Sequence, residues 1–291
     1  MQDYTTPIPT VLTTSYYSTT LTPHTPSTSV LDRNHVHVAG AGPQTLLFCN
    51  GFGCSQHIWR YVSTPLSKRY RVVLFDHVGS GDSDRRAYDP LKYSALAGYA
   101  QDLIEICQVL DLRDVVVVGH SVGATIAMLA AIQAPEYFAK AIMIGPSPCY
   151  INKPGYYGGT NQEDMNQLLD LMDMDYDSWA NMFAGMLIGP GRPASLGEEL
   201  AGYFCNTDST IAKNFAHVAF LADNRAEVPL LQVPTLLLQC TDDAVAPSEV
   251  GEYLLTHLPH ATLLNLQATG HCPHLSAPLE IIAAIEPFLV D

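Results

Sequence analysis

The sequence predicts an α/β fold, in which a mostly parallel sheet is flanked by helices and interrupted once by a helical insertion. Three observations carry that expectation. From residue 36 short apolar runs alternate with longer helical stretches, Val115–Val118 is an unbroken run of valines, and residues 153–228 contain helical patterns with no strand between them. Unbroken Val/Leu/Ile runs of strand length are characteristic of strands buried on both faces, as in a parallel sheet whose crossover helices cover both sides.

Taken in order, the expected strands are Val36–Val38, Thr45–Cys49, Arg71–Phe75, Val115–Val118, Ala141–Ile144, Thr235–Cys240 and Thr262–Leu266. Helical periodicity falls between them at Tyr61–Lys68, Ala95–Leu110, Val122–Gln133, Pro247–Leu258 and Pro278–Leu289. The insertion holds four more helical patterns, at Gln162–Met172, Tyr176–Leu187, Leu196–Phe204 and Ser209–Ala222. They are richer in Met, Phe, Leu and Trp than a solvated helical layer needs. The expected organisation is therefore a core of residues 31–152 and 229–291 carrying a helical cap at 153–228. Residues 1–30 are Thr-, Ser- and Pro-rich with Asp3 the only charged side chain, and read as a mobile extension. A second reading makes Thr10–Thr20 an edge hairpin.

Composition narrows the function. The net charge is -15, with 14 Lys and Arg and no basic run, which argues against nucleic acid and against an anionic membrane surface. No run reaches the length of a membrane span. No Lys or Arg precedes Arg33 and no apolar leader core is present, so a cytoplasmic protein is expected. The seven cysteines form no C-x-x-C pair and no even framework, so neither a disulfide scaffold nor a zinc site is expected. Cys107 and Cys240 lie in apolar runs and read as small buried hydrophobes.

The chemistry is concentrated after the valine strand, at Gly119-His120-Ser121-Val122-Gly123. A Gly-x-Ser-x-Gly string between a strand and a helix is the setting of a nucleophile elbow, the hallmark of the α/β-hydrolase fold. The sharp turn needs small flanking residues and presents the Ser hydroxyl at the carboxyl end of the strand. Alone the string is weak; its partners make it specific. The fold's chain order is Ser, then acid, then His. Thr241-Asp242-Asp243 follows the strand Thr235–Cys240, and Gly270-His271 follows the last strand. Both aspartates compete for the acid at this point. His271 is the expected base, His274 is expected to help start the last helix, and His120 to pack beside the elbow or line the pocket. The oxyanion hole needs two backbone N–H donors, expected from Val122 and from Phe52 in the Asn50-Gly51-Phe52-Gly53 loop. Such a site requires no cofactor and no metal.

The chain also resembles an α/β-hydrolase subfamily that includes the bacterial sigma-factor regulator hydrolase of the RsbQ type and the plant strigolactone and karrikin receptor hydrolases. The resemblance rests on Gly51-Phe52-Gly53 followed by Trp59, on the elbow, and on Gly145-Pro146-Ser147-Pro148. In the cap it rests on Tyr157-Gly158-Gly159, Trp179 with Phe183, and Phe204-Cys205-Asn206-Thr207-Asp208. The segment Gly270-His271-Cys272-Pro273-His274-Leu275-Ser276 is the most distinctive. The resemblance spans residues 31–291 and implies a four-helix, V-shaped cap over a deep apolar pocket. It selects Asp243, which Pro247 follows four residues later, and it implies a pocket formed by Phe52, His120, Tyr150, Trp179, Phe183 and Phe220. Asn50 stands where the subfamily usually has His. The expected activity is serine-dependent cleavage of a small apolar ester or lactone. The alternatives are a slow-turnover ligand receptor, or a stress-signalling regulator acting through a protein partner at the cap.

Overall fold

A computed structural model describes residues 29–290. The sequence reading of the 1–30 extension falls almost wholly outside these residues. Val30, assigned to it, instead opens the short helix α1 (Val30–Arg33) and is buried. Arg33 anchors this turn: its guanidinium lies 2.7 Å from Asp102 Oδ1 and 2.6 Å from Glu105 Oε2.

The first half of the core runs β1 (His37–Ala39), β2 (Thr45–Cys49), α2 (Arg60–Leu66), β3 (Arg71–Leu74), α3 (Leu96–Val109), β4 (Val115–His120), α4 (Val122–Gln133) and β5 (Phe138–Ile144). Four helices follow: α5 (Gln162–Met174), α6 (Tyr176–Ile188), α7 (Ala194–Cys205) and α8 (Ser209–Phe220). The core then resumes with β6 (Thr235–Thr241), α9 (Ser248–His257), β7 (Ala261–Thr269), α10 (Pro273–Ser276) and α11 (Pro278–Val290).

The seven strands form one sheet in the order β1-β3-β2-β4-β5-β6-β7, with β1 antiparallel to β3 and every other pair parallel. Every residue of β2 and β4 is buried, as their unbroken apolar sequences demand. The edge strand β7 is half exposed and carries Asn265 and Gln267. The connection after β2 runs to β3 on one side and the connection after β4 runs to β5 on the other, so the direction reverses between the neighbours β2 and β4. Crevices for ligands open at the carboxyl ends of strands around such a switch point. The nucleophile turn, β4 to α4, stands there. Its helix α4 is buried from Val122 through Ala131, so it needs no amphipathic pattern.

The helices α5–α8 leave the sheet after β5 and return before β6, and they bury an aromatic layer against the core. Phe183 and Trp179 of α6 stack at 4.6 Å between ring centroids, and Phe52 from the core meets Trp179 edge-on at 5.9 Å. Asp208 caps α8 by accepting from the Thr210 and Ile211 amides. Among the described residues no helix is long and apolar enough to cross a membrane. Cys107 and Cys240 are buried, as expected.

Candidate active site

Ser121 sits at the β4–α4 turn with φ 56° and ψ -129°, a conformation non-glycine residues rarely adopt. The surroundings enforce that strain. The Ser121 amide donates to the Ile144 carbonyl at 2.9 Å, and both elbow glycines are needed for clearance. A Cβ on Gly119 would lie 2.5 Å from Ala124 Cα, and one on Gly123 would collide with the Asn50 carbonyl oxygen.

From this turn the Ser121 Oγ reaches His271 Nε2 at 2.7 Å, across 150 residues of chain. The other ring nitrogen, Nδ1, lies 2.8 Å from Asp243 Oδ2 and 3.0 Å from Oδ1. A carboxylate only accepts, so Nδ1 carries the hydrogen and Nε2 is left to accept from the Ser121 hydroxyl. That tautomer is the one a general base requires.

The structure separates the two competing aspartates. Asp242 is exposed, whereas Asp243 is buried and its Oδ1 also accepts from the amides of Val245 (2.9 Å) and Ala246 (3.0 Å). Burial works to raise the Asp243 carboxyl, but His271 and these amides outweigh it and hold the pKa below the ordinary value.

The residues expected to supply the oxyanion donors both lie close to the serine. Phe52 follows β2 and lines the same small cavity as Ser121. Val122 is the first residue of α4, where an N–H has no acceptor within its own helix.

Of the residues implied as pocket wall, Phe52, His120, Phe183 and Phe220 line the cavity. Tyr150 makes a more direct contact, its hydroxyl standing 3.3 Å from Ser121 Oγ. Trp179 does not reach the wall; its ring is packed behind Phe52 and Phe183. Four wall residues were not assigned to the pocket in the sequence reading: Cys54, Leu187, Val245 and Cys272. Each lies within four positions of a named site residue, so chain proximity was the available signal.

The deep pocket implied by the resemblance is not present in this conformation. The space left at the triad is about 10 Å³, at the limit of what a single water occupies. The rings fill it: Phe52 lies 5.3 Å from Phe220 and 5.6 Å from Phe215, and Phe220 lies 5.6 Å from Tyr150.

His274 also departs from expectation. It does not start the last helix but belongs to the separate turn α10, fully buried between Trp59 (4.6 Å) and His120 (4.3 Å). Asn50 holds this region together. Its side chain accepts from Trp59 Nε1 at 2.7 Å and donates to the Phe75 carbonyl at 2.9 Å. Among the described residues one cluster, His35, Asp76 and Asp82, has the spacing of metal ligands, and no triad residue belongs to it. Its central carboxylate, Asp76, already accepts from the Gln56 and Asp82 amides.

A strained serine after a central strand, a histidine and a buried aspartate from the last two strand ends, and a helical cap above them define an α/β-hydrolase. The chain belongs to that family: residues 46–285 match the family model described as "Alpha/beta hydrolase family". It is 34% identical over 257 residues to a karrikin insensitive 2 receptor from Petunia hybrida, covering 88% of this chain and 95% of the relative. It is 34% identical over 254 residues to a strigolactone esterase from Arabidopsis thaliana, covering 87% and 95%. Among solved structures, a hydrolase from Oleispira antarctica superposes with a TM-score of 0.88 at 38% identity, covering 90% of this chain and 96% of that one.

Proposed function

We propose that the protein is a serine hydrolase of a small apolar ester or lactone, with Ser121, His271 and Asp243 as its triad. The single observation that carries this is the continuous chain of hydrogen bonds, Ser121 Oγ to His271 Nε2 to Asp243, buried beneath an aromatic cap. As Ser121 Oγ attacks the acyl carbon, its proton passes to His271 Nε2. Asp243 stabilises the imidazolium without taking the proton. The Phe52 and Val122 amides donate to the tetrahedral oxyanion, each such donor contributing about 3–4 kcal/mol. When the C–O bond breaks, His271 returns the proton to the leaving alkoxide. Water, deprotonated by His271, then releases the acid from Ser121. The substrate preference follows from the wall, where apolar rings and two thiols offer few hydrogen bonds to a polar or charged ligand.

A second reading is a ligand receptor with slow turnover that signals through its cap to a protein partner. Two observations favour it. The free space beside Ser121 and His271 is about 10 Å³, and the cap residues Phe183, Leu187 and Phe220 form part of its wall, so a ligand seated there would press on the cap. The cap also exposes Leu171 and Met174 on α5 and Met182 and Met186 on α6, apolar side chains that a partner could cover. Some relatives of this chain carry the name receptor and others esterase.

Single-turnover and steady-state hydrolysis of a short p-nitrophenyl ester and of a butenolide separates the readings, with Ser121→Ala as the control. Repeated, Ser121-dependent turnover of the ester is the expected result. One slow turnover of the butenolide, leaving a lasting adduct, would move the assignment to a receptor. Turnover unaffected by Ser121→Ala would overturn both.

A further inference from the structure

All four polar atoms of His271 have partners, and only two of those partners belong to the triad. Its ring nitrogens face Ser121 and Asp243. Its main-chain N–H donates to the Leu187 carbonyl of α6 at 2.7 Å, and its carbonyl oxygen lies 2.7 Å from His120 Nε2. Because a carbonyl only accepts, His120 carries its hydrogen on Nε2. One main-chain tether is therefore made to the cap and the other to the elbow itself, one residue before the nucleophile.

We infer that His120 is a positioning residue, which pins the His271 carbonyl to the elbow so that the imidazole keeps its register with Ser121 when α6 moves. The inference rests on the triad reading above. Three features of the site support it. The helix α6, whose Leu187 carbonyl holds the His271 amide, also supplies Phe183 and Leu187 to the cavity wall, so any ligand entering there bears on the helix that makes the Leu187 tether. The His120 tether depends on no cap residue. The ring of His120 is also wedged in place: His274 packs on it at 4.3 Å, and a Cβ on Gly51 would lie 2.6 Å from its Nδ1. Burial first, and then the nearby charge of His271, push its pKa down to about 3, so it remains a neutral, single-tautomer donor at working pH.

Two variants test the role. Gln places an amide N–H near the position of His Nε2, whereas Asn is one bond too short to reach the carbonyl. The loss of register expected for His120→Asn is a fall in kcat of about 10–100-fold, since small misplacements of catalytic groups are costly. His120→Gln is expected to stay within about fivefold of wild type, a weakened but intact donor. KM shifts in both, because His120 lines the cavity, so kcat is the quantity compared. The low-field proton resonance of His271 Nδ1–H, shared with Asp243, reports register independently and is expected in His120→Gln but broadened or shifted in His120→Asn. Wild-type kcat in a folded His120→Asn would overturn the inference. So would a folded His120→Gln that is as slow as the Asn variant. If the Asn variant does not fold, a folded Gln variant decides alone: kcat within fivefold and a retained resonance support the role, and any greater loss overturns it. Ser121→Ala in the same assay distinguishes the two levels. Residual activity above about a thousandth of wild type would overturn the triad itself, whereas an inactive Ser121→Ala beside a fully active His120→Asn would overturn the positioning role alone.

Discussion

The carbonyl of Leu187, near the end of cap helix α6, accepts the main-chain N–H of His271 at 2.7 Å. The cap and the proposed triad are thus joined by a direct bond, and the same helix places Phe183 in the cavity wall one turn earlier. The helix α6 therefore touches both the cavity wall and the main chain of His271, the proposed general base.

Phe183→Ala is expected to widen the cavity and to shift preference toward longer acyl chains, with kcat/KM for the shortest ester falling relative to the longer ones. Removing a buried Phe typically costs about 3–5 kcal/mol of stability, so thermal melting should accompany the kinetics. An unchanged chain-length profile in a folded variant would show that Phe183 does not bound the substrate.

Asp243→Asn is expected to lower kcat by about 10⁴, because the amide favours the wrong imidazole tautomer. Asp242→Asn, altering an exposed side chain, is expected to leave kcat near wild type. Comparable losses in the two variants would reopen the choice of acid.

Acid stability should report the buried His120. Its pKa lies at about 3 in the folded protein, lowered chiefly by burial, against about 6.5 unfolded. Between those values the unfolded chain binds a proton that the folded one refuses, so stability falls as pH falls from 6.5. The slope for one whole proton is about 1.4 kcal/mol per pH unit. Urea unfolding from pH 7 to 4 should therefore show a shallower decline for His120→Gln than for wild type. Parallel curves would mean that His120 titrates normally.

Asp102 is fully buried, and it lies 2.7 Å from Arg33, 2.6 Å from Lys92, 2.9 Å from the Tyr93 hydroxyl and 3.1 Å from the Asn34 amide. Asp102→Ala leaves those donors unmatched and is expected to cost about 3–5 kcal/mol. A melting midpoint unchanged from wild type would contradict this.

Much of the fold was legible because its strands carry their burial in their composition. The runs Thr45–Cys49 and Val122–Gln133 begin and end where the sequence places β2 and α4. β7 extends beyond Thr262–Leu266 to Ala261–Thr269, since an edge strand tolerates the polar Asn265 and Gln267 that obscure its period. The helix α1 has four residues, too few for any periodicity, and its anchor on Asp102 spans 69 residues of chain. That Ser121, Asp243 and His271 meet in space was legible through their order along the chain. The role of His274 and the near-closure of the cavity were not. Both depend on how rings from Trp59, Phe52 and the cap settle against one another, and no local pattern encodes that packing.

The most direct test of the central claim is mass spectrometry of the protein quenched in acid during turnover of a p-nitrophenyl ester. The account predicts one acyl group per chain, on the peptide containing Ser121, accumulating in His271→Ala only slowly and in Ser121→Ala not at all. An acyl group on another residue, or hydrolysis with no adduct and full activity in Ser121→Ala, would contradict it.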